Sequence, residues 1–444
     1  MPEPDDRLQQ HLAGQELGAA RDDLNDLDTP AIVRELGRLG HRERALAFRL
    51  LDKARAVEVF EDLDPTLASE LMDGLREESV AALLADLDPD DRASLLDELP
   101  AGLASKLLRG LSPAERSMTE TLLGYPEESA GRRMSPEVAW IPESFSVGAA
   151  LARLRETGAG AETIYMVPVV GPGRLLRGVV SLRGLLVASD DAPVAELMSR
   201  PVFVRAEEDR ELAARRIRDH GMIGLPVVDN EERLVGVITV DDAMRILAEE
   251  EDEDAARAGG TDPLRRPYLA TSIPRLVRSR VVWLLILIGA ATLTVNVLDL
   301  FEDALAQVVT LALFIPLLIG TGGNAGAQTV STVIRALSTG DVDVRDVPRV
   351  VGREFLTGLA LGGVLGGGAG LLAGVVFGSS IGLVLGLSLV AVCALATTVG
   401  ALVPLASSRI GVDPAVVSAP FITTIVDATG LIVYFLIARA VLGI

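Results

Sequence analysis

The chain has 444 residues, 49% of them hydrophobic, with a net charge of −21 and one cysteine. The charge is −23 over residues 1–262, +5 over 263–280 and −3 over 281–444, so a basic hinge joins an acidic half to an apolar half. An acidic surface without Lys/Arg blocks excludes nucleic acid as a partner. Cys393 alone excludes a disulfide framework or thiolate cluster within one chain, and the scattered His11, His41 and His220 lack zinc-type spacing. With no nucleophile elbow, P-loop or zinc motif, an enzyme is not expected.

Residues 1–27 are polar and acidic with little periodicity, which predicts a disordered tail. The N-terminus argues against a secretory signal and for a cytoplasmic soluble half. Over 28–130 a repeat appears: Leu51, Leu63, Leu75, Leu87, Leu99 and Leu111 recur every twelve residues. Most precede cap or turn residues, as in Asp64-Pro65, Asp88-Pro89, Pro100 and Ser112-Pro113, which mark helix starts. Short stacked helices forming an all-α superhelix follow.

Residues 131–256 hold a duplication. Met134-Ser135-Pro136 opens one unit (131–197) and Met198-Ser199-Arg200-Pro201 the next (198–256). Each has a helical stretch and then strands: Tyr165–Val170 with Gly178-Val179-Val180-Ser181, and Leu225–Asp229 with Gly236-Val237-Ile238-Thr239. This α/β pair resembles tandem CBS domains, whose strand ends in Gly-h-h-Ser/Thr-x-x-Asp (h apolar), the Asp holding a nucleotide ribose. The second unit keeps Thr239 and Asp242; the first has Ser181 and Arg183 but Gly184 at the Asp position. The resemblance implies an ATP site involving Asp242, Thr239 and Arg183, and equally a nucleotide-free switch.

Asp241 to Asp254 hold eight acids in fourteen residues. Such a run repels itself, and divalent cations would draw it together.

Residues 281–444 read as five α-helical spans: 281–298, 304–337, 355–378, 381–405 and 415–438, each long enough for a hydrocarbon core of about 30 Å. Arg265, Arg266, Arg275, Arg278 and Arg280, then Arg345, Arg349 and Arg353, then Arg409 fall on one side; Arg439 is the exception. The positive-inside pattern puts the soluble half inside and the C-terminus outside the cell (inner) membrane. The second span is expected to be kinked or partly irregular because of Pro316 and its glycines. In the third, Gly358, Gly362, Gly366, Gly370, Gly374 and Gly378 form an i, i+4 ridge for close helix packing.

Asp427 is the lone charge in the last apolar stretch, Ala415 to Ala438. A carboxylate at that depth costs several kcal/mol unless it meets water, a partner or a cation, so it is a functional candidate. The second span contributes Gly320-Thr321-Gly322-Gly323-Asn324-Ala325-Gly326-Ala327-Gln328, where Asn324 and Gln328 share a helical face. One carboxylate plus polar oxygens suits Mg2+, which keeps several waters; manganese, cobalt and calcium stay open.

An acidic superhelix, a CBS pair, a connecting segment and five spans together resemble the MgtE family of magnesium channels. The glycine motif carries the resemblance, along with Gly411-Val412-Asp413-Pro414-Ala415, Pro420, Thr424 and Asp427-Ala428-Thr429-Gly430. At Ala327 and Ala419 some relatives have Asn. The resemblance implies a homodimer whose second and fifth spans line the pore. Asp427 would hold hydrated Mg2+, with Thr423, Thr424, Gly323, Asn324 and Gln328 along the pathway. It also implies a connecting helix over 257–280 before the membrane, and closure by cytosolic Mg2+ at Asp242, Glu250, Glu253, Asp254, Asp90 and Asp91. A proton- or sodium-coupled secondary transporter is the alternative, and a membrane-anchored nucleotide sensor a third reading that leaves Asp427 and Asn324 unexplained.

Overall fold

The computed structural model describes residues 4–444 apart from 15, 64, 74, 76, 100, 265–267, 269, 270 and 411–418. Asp64, Pro100, Arg265, Arg266 and the motif Gly411-Val412-Asp413-Pro414-Ala415 therefore lie outside the described residues. The chain divides into two compact units: Met1–Glu250 with Arg265–Thr271, and Glu251–Leu264 with Ser272–Ile444.

Among its described residues the first unit opens with ten helices: α1 Pro4–Ala13, α2 Leu17–Asn25, α3 Thr29–Arg38, α4 His41–Leu50, α5 Lys53–Glu61, α6 Pro65–Asp73, α7 Glu77–Asp86, α8 Pro89–Glu98, α9 Ala101–Gly110 and α10 Pro113–Leu123. The first two correct the expectation of a disordered tail. Leu8, Leu12, Ala20 and Leu24 are nearly fully buried. Each pair sits four apart and gives its helix one apolar stripe, which the acidic composition hides.

From α3 to α10 every helix begins twelve residues after the last. The repeated leucines mark the junctions: Leu51 and Leu99 are C-caps, and Leu63, Leu87, Leu99 and Leu111 are buried. Side chains of Asp28, Asp52 and Ser112 accept from the first-turn amides of the following helices, satisfying donors that helix starts leave open. A device of longer period is superposed. Arg44, Arg92 and Arg116 each sit fourth in their helix, and Nε of each donates to the carbonyl eight residues back: Leu36, Leu84 and Leu108. Nη2 donates to the carbonyl five back: Leu39, Leu87 and Leu111. One guanidinium thus closes the carbonyl end of the preceding helix, where a cation is favoured.

Next come β1 Ile141–Pro142, α11 Val147–Thr157, β2 Met166–Val170, β3 Leu176–Ser181, α12 Leu182–Val187, α13 Val194–Leu197, β4 Val204–Arg205, α14 Arg210–His220, β5 Gly224–Val228, β6 Leu234–Thr239 and α15 Val240–Ala258. The duplication is explicit: two three-stranded sheets, β1-β2-β3 and β4-β5-β6, have the same parallel-then-antiparallel order. They even share an irregularity, at Val169/Val170 and Val227/Val228. The two units exchange straps. Ser135 pairs with Val237 and Ser199 with Val179. Met134 lies against Gly236 and Met198 against Gly178, where a Cβ would meet the thioether sulfur at 2.6 and 2.8 Å.

In the second unit α15 ends at Ala258 and α16 spans Ile273–Leu300. The described residues of 259–272 form no α-helix, so the expected connecting helix over 257–280 is replaced by the end of α15, a turn with Gly260 at φ 66°, and the start of α16. Arg275, Arg278 and Arg280 belong to the first span's own early turns. Then follow α17 Glu302–Gln307, α18 Ile315–Ser338, α19 Val347–Phe377, α20 Ser379–Arg409 and α21 Ala419–Leu442. Among the described residues five helices are long and apolar enough to cross a membrane. The irregularity expected in the second span lies before Pro316, as a 3-10 stretch over Val309–Phe314. Pro316 starts α18 and the glycine cluster is helical, because proline is tolerated in a first turn.

The glycine ridge packs α19 on α20. A Cβ at Gly366 would meet the Gly386 carbonyl at 2.5 Å, and one at Gly370 the Gly382 carbonyl at 2.8 Å. Only glycine allows this backbone approach in lipid.

Candidate ion pathway and acidic regulatory site

The end of α5, the start of α8 and the start of α15 bring acids together in the first unit. Carboxylate oxygens of Glu61, Asp88 and Asp91 all lie within 4.8 Å of one another. Asp90 is 7% exposed, and its Oδ1 has no protein partner. Arg245 is bonded to the group: it reaches Asp242 at 2.5 Å and Asp91 at 3.5 Å, and donates to the Glu61 carbonyl.

This excess of negative charge raises proton affinities. Burial, then Asp88 and Asp91, push the Glu61 carboxyl up to about 7. Burial raises Asp91 to about 6, with Asp242 adding and Arg245 opposing. Glu162 is pushed up to about 7 by burial, then by Asp88 and Asp242. Asp90 is raised well above the carboxylate range by burial first and then by Asp242. Like charges in a half-dry site favour protons or a divalent cation. Carboxylate oxygens at this spacing suit a hard cation such as Mg2+.

Of the expected acids, the structure brings together Asp90, Asp91 and Asp242. Glu250 is elsewhere, paired with Arg210 at 2.8 Å, a residue that also binds Glu128 and Glu249. Glu253 pairs with Arg257 one turn on in α15; Asp254 follows it in the same helix. Sequence reasoning missed Glu61, Asp88 and Glu162. A partial signal existed for Asp88, which abuts Pro89-Asp90-Asp91.

The expected nucleotide residues are arranged as follows. Thr239 Oγ1 donates to Asp242 at 2.6 Å, and Asp242 also carries Arg245. In the first CBS unit Ser181 Oγ accepts from the Gly184 amide at 3.0 Å, and Arg183 is exposed on α12. The carboxylate expected at the nucleotide position is thus present in the second CBS unit and replaced by Gly184 in the first, and Asp242 lies within the acidic group.

In the second unit the glycine motif of α18 lies against α21. A Cβ at Gly323 would sit 3.4 Å from Thr423 Cγ2 and 3.8 Å from Asp427 Oδ1, and one at Gly326 3.3 Å from Ile422. Asp427 is half-buried, and its Oδ1 is buried without a hydrogen-bond partner. Thr423 and Thr424 both donate their hydroxyl protons to the Pro420 carbonyl, at 2.8 and 3.0 Å. Their oxygens therefore keep lone pairs for a cation or for water. Asn324 and Gln328 share a face as expected, but that face is exposed rather than turned into the Gly323–Asp427 seam. Beyond the expected residues, Glu354 of α19 accepts from Thr329 Oγ1 of α18 at 3.3 Å, and its carbonyl accepts from Thr397 of α20.

Three family models cover most of the chain: "Divalent cation transporter" (MgtE) over 315–437, "MgtE intracellular N domain" over 27–128, and "CBS domain" over 130–191 and 194–249. The chain is 40% identical to the magnesium transporter MgtE of Thermus thermophilus over 328 residues, 74% of this chain and 73% of that protein. The chain belongs to the MgtE family. The MgtE of Bacillus subtilis is 33% identical over 333 residues, covering 74% and 72%. The cytosolic domain of the Mg2+ channel MgtE, solved in complex with ATP, superposes with a TM-score of 0.51 at 34% identity, covering 55% of this chain and 99% of that one. An MgtE protein is a membrane transporter and not an enzyme, and this one keeps the family order of N domain, CBS pair and apolar helices.

Proposed function

We propose that the chain is a magnesium-selective channel for Mg2+ uptake, closed by cytosolic Mg2+. The observation that carries the reading is the Asp427 carboxylate, whose Oδ1 is buried between membrane helices with no protein partner. A lone buried carboxylate beside a glycine face and outward-facing hydroxyl oxygens attracts a divalent ion. It is too sparse to strip the ion's water, so the ion can also leave. In the proposed assembly two copies put α18 and α21 around one pathway, with Asn324 and Gln328 on its exposed wall. The N-terminal region is cytoplasmic and the C-terminus outside, as the arginine placement supports.

Closure is a population shift. Without Mg2+, repulsion among Glu61, Asp88, Asp90, Asp91 and Asp242 favours an open ensemble; Mg2+ binding there favours the compact, closed one. Glu250, Glu253 and Asp254 contribute field rather than ligands. ATP at Thr239, Asp242 and Arg183 would tune the same equilibrium through the shared Asp242.

The test is Mg2+ flux into proteoliposomes carrying wild type or Asp427→Ala, at low and high Mg2+ on the soluble side. Flux that needs Asp427 and falls at high Mg2+ is expected. Equal flux in both proteins would remove Asp427 from the mechanism. Flux that follows an imposed proton or sodium gradient would replace the channel with a coupled transporter.

A further inference from the structure

The second span does not begin as an α-helix. Val308 has φ −133° and ψ 79°, and residues 309–314 form a 3-10 stretch before α18 starts. In lipid, non-helical backbone must find its hydrogen bonds within the protein. Pro316 brings no N–H, and the Ala312 carbonyl accepts instead from the Ile315 amide, the shorter bond of a 3-10 turn. Tyr434 of α21 supplies a bond to this stretch: its hydroxyl donates to the Leu311 carbonyl at 2.9 Å, and both residues are 0% exposed. Among the described residues this is the one side-chain hydrogen bond made to 309–314. The nearby Phe301–Phe435 stack, at 4.8 Å, and Arg439 over Phe301, at 4.9 Å, tie the end of α16 to α21 without a polar bond to that stretch.

Tyr434 follows Asp427 by seven residues, two turns along the same helix face and about 10 Å away. We propose that Tyr434 is a positioning residue for ion entry. Its hydroxyl sets the height of the 3-10 stretch, and hence of the Gly320–Gly323 face, beside Asp427. This rests on the ion-conduction reading above. The spacing between that glycine face and the carboxylate decides which hydrated cation fits. Freeing the Leu311 carbonyl lets the stretch move and relaxes that choice.

The experiment compares wild type, Tyr434→Phe and Phe435→Leu as full-length chains in proteoliposomes, with Mg2+ and Mn2+ as probes. In Tyr434→Phe the half-saturating Mg2+ concentration is expected to rise about fivefold and the preference for Mg2+ over Mn2+ to fall about threefold, the scale of one lost buried hydrogen bond. The Mg2+ midpoint for closure is expected to stay unchanged. Phe435→Leu, which keeps the hydroxyl bond, should lower thermal stability and leave half-saturation and preference as in wild type. Tyr434→Phe flux that changes only in proportion to folded protein, with half-saturation and preference intact, would overturn the assignment. Failure of the conduction reading is seen separately, as wild-type flux that Asp427→Ala does not reduce.

Discussion

The molecule handles carboxylates in two opposite ways. At the Glu61–Asp88–Asp91 group several acids share Arg245, and burial with mutual repulsion drives three carboxyls up to about 6 or 7. In the membrane unit Asp427 faces glycine and threonine, with no cation and no second acid bonded to it. Water at the edge of the first site makes an accumulation of charge tolerable, and its instability lets an ion move a population. Inside lipid each further charge costs several kcal/mol, so the second site keeps one. In the proposed function the crowded site is the one to hold an ion and the sparse one the one to pass it on.

The largest expected effect comes from making the sparse site crowded. Thr423→Asp adds a carboxylate beside Asp427, and a grip tighter by about 2.8 kcal/mol slows release ~100-fold. Mg2+ flux should fall to that extent while Mg2+ binding, read by calorimetry, tightens. Thinning the crowded site is the converse: Glu61→Gln with Asp91→Asn should raise the Mg2+ midpoint for closure about tenfold, with flux at low Mg2+ retained. If the midpoint stays put, the acid group is not the regulator.

Protons compete for the same oxygens. The folded-state values of Glu61, Glu162 and Asp91 lie above their ordinary ones. Their contribution to the ion-free fold is therefore full below about pH 4 and is lost as pH rises through about 6 to 7. Thermal unfolding of the full chain with a chelator should show the cytosolic transition falling between pH 5.5 and 8, with Mg2+ cancelling the fall. The closure midpoint should rise about fivefold from pH 8 to pH 6, as Mg2+ displaces bound protons. The smallest effect is expected at Asn324→Ala, about a threefold loss of flux from one polar oxygen on the exposed wall.

Much of this was legible in the chain. The twelve-residue leucine spacing marked the helix junctions, the paired Met-Ser openings the duplicated units, and the apolar runs the five helices. Asp427 stood out because hydrocarbon makes a lone acid conspicuous. The acidic group proposed as the regulator was only half visible. Glu61 and Asp88 are 27 residues apart and meet through helix stacking, which local charge density does not record. Within the conspicuous run Glu249–Asp254, Arg133 and Arg210 pair with Glu249, Arg210 also with Glu250, and Arg257, one turn on in α15, with Glu253. The first two helices were hidden because the two buried apolar residues in each, Leu8 and Leu12, then Ala20 and Leu24, are too few to show a period against an acidic background.

The exchanged Met-Ser straps carry a consequence of their own. Each CBS unit completes the other's sheet, with Met134 seated on Gly236 and Met198 on Gly178. On separate chains two such units would have to meet at cellular concentration. On one chain they meet at an effective concentration of about millimolar, so their pairing does not vary with how much protein the cell makes.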